Sequence, residues 1–378
     1  MDTQSHERND CILTRLRDLG AAPGDLPTGA FNAITDVPGV RVGHVTLISG
    51  EGPLRPGEGP VRTGVTAILP HGGNLYRLKV PAGVRTINGF GKAAGFEQIR
   101  ERGVIETPII LTNTLNVGRA ADALVAYMLR QNPDIGITAG TVCPVVGECN
   151  DGFVNDLQGR HVGQTHVWQA IESAQGGPVA EGNVGAGTGT QCFQFKGGIG
   201  TASRRVLDGR FTVGALVQSN FGMRRDLLVL GAPIGKHFLD RCLPEPGPGS
   251  IMLVLATDAP FDARQLERLA MRAAFGLGRV GSIGQDDSGD FVIAFSTANP
   301  WPHYGLEQQP PDEVQAVTRW AESGPAMDEC FKAAVESVEE AILNSMVAAH
   351  TLTGRDGNTL HAIPLDQLAD LLRHYRRL

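Results

Sequence analysis

The chain has 378 residues, 42% of them hydrophobic and 19% charged, a balance that excludes intrinsic disorder and allows a sizeable buried core. A net charge of -7, with no Lys/Arg cluster interleaved with aromatics, argues against a nucleic-acid partner. The 49 glycines and 23 prolines show no G-X-Y period, which excludes collagen-like chains and points to many tight turns.

Met1 to Leu19 is polar and mixed in charge, and no apolar run reaches spanning length, so no membrane segment and a cytoplasmic location are expected. Cys11, Cys143, Cys149, Cys192, Cys242 and Cys330 lack C-x-x-C pairing and histidines at zinc spacing. Reduced thiols, no disulfide framework and no metal site follow.

The first 25 residues read as a helix or arm that ends at the turn Ala22-Pro23-Gly24. Strands are expected at Val40 to Val45, Val65 to Leu69, Pro108 to Leu111, Ile135 to Thr138, Phe211 to Val217, Ile251 to Ala256 and Phe291 to Phe295. Helices alternate with them. Ala120 to Arg130 carries Leu124, Val125, Met128 and Leu129 on one face, and Thr165 to Ala174 is a weaker pattern. Asp262 with Gln265 makes a capping box for a helix that buries Leu266, Leu269 and Ala273 and can end at Gly276. Ala333 to Ala349 is the most regular helical pattern and gives way to the turn Thr353-Gly354-Arg355-Asp356-Gly357. The one sharp break in composition is Pro244-Glu245-Pro246-Gly247-Pro248-Gly249, between two folded halves.

By local pattern alone, Ser250 is simply the first residue of the strand after this loop. The junction has a second reading. A glycine that tolerates strained dihedrals precedes a hydroxyl mounted on the apolar strand Ile251 to Ala256. The Ser250 hydroxyl can attack the Gly249 carbonyl in an N-to-O acyl shift, and hydrolysis of the ester frees Ser250 as a new amino terminus. Such a serine carries its own base, an amine of pKa about 7.7 to 8.0, so it needs no histidine. The ten histidines offer no G-x-S-x-G context for a Ser/His/Asp triad.

Pro248-Gly249-Ser250-Ile251-Met252, followed by Ala256-Thr257-Asp258-Ala259-Pro260, resembles the DmpA-type aminopeptidases, which include L-aminopeptidase/D-esterases and β-peptidyl aminopeptidases. The similarity extends through Ile34 to Val40 with Val42-Gly43-His44, Val145 to Glu148 with Asn150-Asp151-Gly152, Val217 to Gly222, Ser288-Gly289-Asp290 and Thr353 to Asn358. It implies an α/β (α+β) architecture, an αββα sandwich whose two central sheets lie between helical layers. It also implies an α chain of residues 1–249 and a β chain of residues 250–378 that stay together after cleavage as one compact unit.

Asn220 follows the strand Phe211 to Val217, and a side-chain amide at a strand end can donate to a developing oxyanion; locally it reads as a turn residue, and the resemblance assigns it to the oxyanion hole. Ser288 and Asp290 sit in an acidic Gly-containing loop, and the resemblance gives them the tasks of orienting the nucleophile's hydroxyl and holding its amine. Asp286-Asp287 adds negative charge beside them, which would raise the pKa of the amine. Glu148 and Asp151 are candidate readers of the substrate's free amine, and Cys149 between them reads as a small filler. His44 reads as a structural polar residue, and Gly182 to Thr190 as a backbone-packed wall of the pocket. The expected reaction is hydrolysis of an amide or ester next to a free amino group through an acyl-enzyme on Ser250, with no metal or organic cofactor. The resemblance further implies a homo-oligomer of αβ units, a tetramer. Two alternatives remain at this level: an acyltransferase of the ornithine acetyltransferase type, whose nucleophile is threonine, and an uncleaved binding protein.

Overall fold

The computed structural model describes residues 14–241, 243–244, 249–303, 316–321 and 324–378. Most of the expected amino-terminal helix or arm lies outside these residues, as do Cys11, Cys242 and residues 245–248 of the Pro/Gly run; what is described before Gly20 includes one 3-10 turn, Leu16–Leu19.

Nine main strands build two sheets. The smaller sheet contains β1 (Arg41–Ser49), β2 (Val61–Leu69), β4 (Ile109–Asn113) and β5 (Val145–Cys149) in the order β1-β2-β4-β5, with only the β4/β5 pair parallel. The larger runs β3 (Leu78–Gly89), β9 (Gly289–Ser296), β8 (Ser250–Thr257), β7 (Phe211–Asn220) and β6 (Ile199–Val206). Two-residue strands at Trp301–Pro302 and Val104–Ile105 pair with β3 at its outer edge. In this sheet β8 and β9 are parallel and their other neighbours antiparallel.

Alternation along β8 shows how the layers pack. Met252, Val254 and Ala256 join Ile109, Leu111 and Val145 in the core between the sheets. Ile251, Leu253 and Leu255 face the other way, into a core built with α4 (Ala263–Arg279), α5 (Pro325–Val347) and α6 (Leu365–His374). The outer face of the smaller sheet, Val65, Ala67, Ile110 and Val146, packs on α2 (Val117–Gln131) and α3 (Gln164–Glu172). The short α1 (Phe96–Arg102) adds Phe96 and Ile99 to the middle core. The result is the expected αββα sandwich. A strand buried on both faces is apolar throughout, as Ile251 to Ala256 is.

Three local expectations are corrected. Ile135 to Thr138 is a turn that closes on the Asp134 carbonyl, with only an isolated bridge from Ile135 to Ala139 and no place in either sheet. The helix capped by Asp262 continues beyond Gly276 to Arg279. There a Cβ on Gly276 would lie 2.8 Å from the Val335 carbonyl oxygen, so this glycine serves close helix packing and not termination. On α2, Leu129 is exposed, and Ala120, Ala123, Leu124, Tyr127 and Met128 form the buried face. Nor does the Pro/Gly break divide the fold into halves, because strands from both sides of it share the larger sheet.

Candidate active site

Register places the site. Ser250, the first residue of β8, pairs with Asn220 at the end of β7 on one side and with Gly289 at the start of β9 on the other. By the alternation of β8 its side chain belongs to the inter-sheet face, and it is 3% exposed. The Ser250 Oγ accepts hydrogen bonds from Asn220 Nδ2 and from the backbone N–H of Asn150, both at 3.3 Å. The Asn220 Oδ1 accepts from the Gln191 N–H at 3.0 Å, which leaves the amide's donor end turned toward the serine. Two donors therefore converge on the hydroxyl from different sheets.

The Gly249 carbonyl accepts from the Gly289 N–H at 3.0 Å, and a Cβ on Gly249 would lie 2.9 Å from Ser288 Oγ. Ser288 donates to Asp290 Oδ1 at 2.6 Å. The second carboxylate oxygen of Asp290 is buried and has no hydrogen-bond partner among the described residues. Burial outweighs the Ser288 hydrogen bond and pushes the Asp290 pKa up to about 6.

Glu148, at the end of β5, is buried and accepts from Thr114 Oγ1 and, at 3.0 Å, from the Lys92 N–H. Burial raises its pKa. A Cβ on Gly91 would lie 3.3 Å from Glu148 Oε1 and 3.1 Å from the Gly289 Cα, so this carboxylate borders the nucleophile on the β9 side. Asp151 differs. Its oxygens take Thr63 Oγ1 and, at 2.9 Å, Asn155 Nδ2, and full burial pushes its pKa to about 7. It braces the chain around β2 from within, because no hydrogen bond ties it to Ser250 or its neighbours among the described residues.

Cys149 is a filler of the inter-sheet core as well as a strand residue. Its thiol donates to the Gln218 carbonyl at 3.2 Å, and burial pushes its pKa well up. His44 Nδ1 pairs with Thr66 Oγ1 at 2.9 Å, and burial lowers its pKa to about 4. The Gly182–Thr190 segment packs backbone to backbone as expected: a Cβ on Gly64 would lie 2.2 Å from the Gly185 carbonyl oxygen. It does not line the cleft beside Asn220. Gln191 does, together with Gln194, Gly249 and Asp287. Asp286 and Asp287 are exposed, the latter facing this cleft.

Sequence reasoning missed Gln191, the Gly289 N–H and the Asn150 N–H. The last two lie inside motifs already singled out, but their contribution is a backbone group, which side-chain chemistry does not reveal. Gln191 comes from a separate hairpin and gave no signal. Among the described residues no group of three or more His, Cys, Asp or Glu side chains could hold a metal ion, and no helix is long and apolar enough to cross a membrane.

A buried serine heading a central strand, with amide donors on its hydroxyl and a Ser-carboxylate pair beside it, defines a hydrolase built around a strand-borne nucleophile. The profile of Peptidase family S58 matches residues 32–360, and the chain belongs to that family. It is 47% identical over 387 residues to a beta-peptidyl aminopeptidase BapA from Sphingosinicella microcystinivorans, covering 96% of this chain and 93% of the relative. A second BapA, from Sphingosinicella xenopeptidilytica, is 43% identical over 375 residues, covering 95% and 91%. Among solved structures, the L-aminopeptidase D-Ala-esterase/amidase of Ochrobactrum anthropi, described as a variant of the Ntn hydrolase fold, superposes with a TM-score of 0.88 at 43% identity, covering 96% of this chain and 99% of that one.

Proposed function

We propose that this chain is a self-processing serine aminopeptidase that cuts itself between Gly249 and Ser250 and then uses Ser250 in turnover. The observation that carries the reading is the placement of Ser250 as the first residue of β8, directly after Gly249 and opposite Asn220. In processing, the Ser250 Oγ attacks the Gly249 carbonyl carbon, the C–N bond breaks as the Ser250 nitrogen gains a proton, and an ester remains. Water then cleaves the ester, leaving a Gly249 carboxylate and a free Ser250 amine.

In turnover that amine takes the hydroxyl proton as Oγ attacks the substrate carbonyl. Asn220 Nδ2 and the Asn150 N–H, which donate to Ser250 Oγ in the resting chain, lie beside the carbonyl that Oγ attacks, and turned onto its oxygen they stabilise the negative charge that develops there. The buried pair Ser288–Asp290 orients the new amine, whose N–H groups suit the Asp290 oxygen that has no partner among the described residues. Glu148 reads the substrate's own ammonium group, which sets the exopeptidase register.

From the two BapA relatives we extend to this chain hydrolysis of amino-terminal β-residues, and from the Ochrobactrum protein removal of amino-terminal L-residues and action on D-alanine esters and amides. We read it as a cytoplasmic homo-oligomer of αβ units. Intact mass under denaturing conditions tests the reading: fragments of 249 and 129 residues are expected, the second beginning at Ser250. A chain that stays at 378 residues sinks it.

A further inference from the structure

The larger sheet separates two regions around the nucleophile. On the β9 and β3 side lie Gly289, Gly91 and the Glu148 carboxylate. Across the strand ends, from β7 to the loop that leads into β9, lies a cleft lined by Asn220, Gln191, Gln194, Gly249, Gln285 and Asp287. A substrate whose ammonium group sits at Glu148 and whose carbonyl sits at Ser250 must extend its departing portion toward this second region.

The polar groups of the cleft differ in how far the protein itself has used them. Gln194 is committed: its Nε2 donates to the Pro244 carbonyl at 2.9 Å and its Oε1 accepts from the Arg224 N–H at 3.0 Å. Gln191 is not. Its backbone N–H holds Asn220, but its side-chain Oε1 is buried with no hydrogen-bond partner among the described residues. An unsatisfied amide oxygen is costly to keep and gains from any N–H placed against it. In the uncut chain Asp287 supplies the only formal charge among the described residues lining the cleft, and processing adds the Gly249 carboxylate at its edge, of the same sign. Its loop is fixed by Asn88, whose Nδ2 donates to the Gln285 carbonyl at 2.6 Å, and by the Ser288 N–H, which donates to the same carbonyl at 3.0 Å.

We propose that this cleft is the leaving-group subsite, in which the Gln191 side-chain amide pairs with an amide N–H of the departing residue and Asp287 disfavours a free carboxylate there. The substrate class follows: peptides of three or more residues and peptide amides are taken in preference to dipeptides, whose departing residue carries its own carboxylate close to the scissile bond. The inference rests on the aminopeptidase reading and on the amine end lying at Glu148.

The test uses the processed enzyme and three substrates with one acyl part: alanyl-glycinamide, alanyl-glycine and alanine methyl ester. The wild type is expected to favour alanyl-glycinamide over alanyl-glycine in kcat/KM by roughly tenfold, the scale of one charge repulsion near a protein surface. Gln191→Leu should lower the ratio of alanyl-glycinamide to methyl ester by about five- to tenfold, as for one lost hydrogen bond. Asp287→Asn should lower the amide-to-acid ratio several-fold, the Gly249 carboxylate accounting for what preference is left, and in the wild type added salt should lower it to a lesser degree. If Gln191→Leu lowers all three substrates equally, it acts through Asn220 and the subsite is overturned; unchanged ratios in both variants overturn it too. If the wild type cleaves neither these three nor their β-alanyl counterparts, the aminopeptidase reading fails, and the subsite with it.

Discussion

Asn220 and Asp290 do opposite things at the nucleophile. Asn220 donates to Ser250 Oγ in the resting chain, and on the proposed reading it passes to the substrate's oxyanion, so Asn220→Ala should lower kcat by roughly 10²- to 10³-fold without loss of fold, measured on a p-nitroanilide of a small amino acid. An unchanged kcat at normal thermal stability would leave Asn220 as a strand-end turn residue only. Asp290 is a liability in the uncut chain, since one of its oxygens is buried and has no partner among the described residues. Its carboxyl has a pKa of about 6 in the fold against an ordinary 3.8. Between those values the folded state holds more protons than the unfolded one, so stability falls as pH rises through that window. In a Ser250→Ala background, Asp290→Asn should therefore stabilise by about 1 to 3 kcal/mol at pH 8, with the advantage gone near pH 4, as read by denaturant titration. Equal stability at both pH values would mean that the carboxylate is solvated in the uncut chain.

At the level of elements, what the sequence disclosed depended on how each element is buried. β8 and β9 lie between two packed layers and so appear as unbroken apolar runs, and the Asp262 side chain caps α4 by accepting the Gln265 N–H at 2.8 Å, as its position suggests. β3 and β6 were missed for a physical reason. β3 carries Pro81 and Gly83, the latter because a Cβ there would lie 2.6 Å from the Glu267 nitrogen of α4. On β6, Gly200 meets the Ala341 carbonyl oxygen of α5 at 1.9 Å from its notional Cβ, and Arg204 is drawn into buried pairs with Glu336 and Glu340 at 3.0 and 2.6 Å. Small and charged residues chosen by a neighbouring helix hide the strand. The structure brings together side chains the sequence had singled out, Ser250 with Asn220 and Ser288 with Asp290, and adds backbone N–H groups and Gln191 that side-chain chemistry does not reveal. Gly276 gives the sharpest test of helix against helix. Alanine has the better helix propensity, yet Gly276→Ala should destabilise by about 1 to 3 kcal/mol, because the added methyl would press on the Val335 carbonyl and Val338. A rise in Tm would mean that α4 and α5 move apart at little cost.

Across the whole molecule, the residues on either side of the Gly249–Ser250 bond are interleaved. β8 and β9 follow the junction, yet they lie between β3 and β7, which precede it, and α5 covers β6 and β7. Severing one bond leaves every one of these ladders in place. The two products should therefore co-elute as one particle on native size exclusion and separate only in denaturant, even though intact mass finds them as separate chains. Separation in buffer alone would show that the shared sheet does not hold them.

The pairing of Gly249 and Ser250 with Gly289 has one more consequence. The attacking oxygen, the attacked carbonyl and the donors around them meet only after β7, β8 and β9 have found their register, so none of the groups is assembled in a loose or mispaired chain. On the proposed reading the cut would become an indelible stamp, one applied to molecules that have passed inspection and withheld from those that have not. A population of this protein would then carry its own folding history in the ratio of stamped to unstamped chains, long after the event and without any outside reporter.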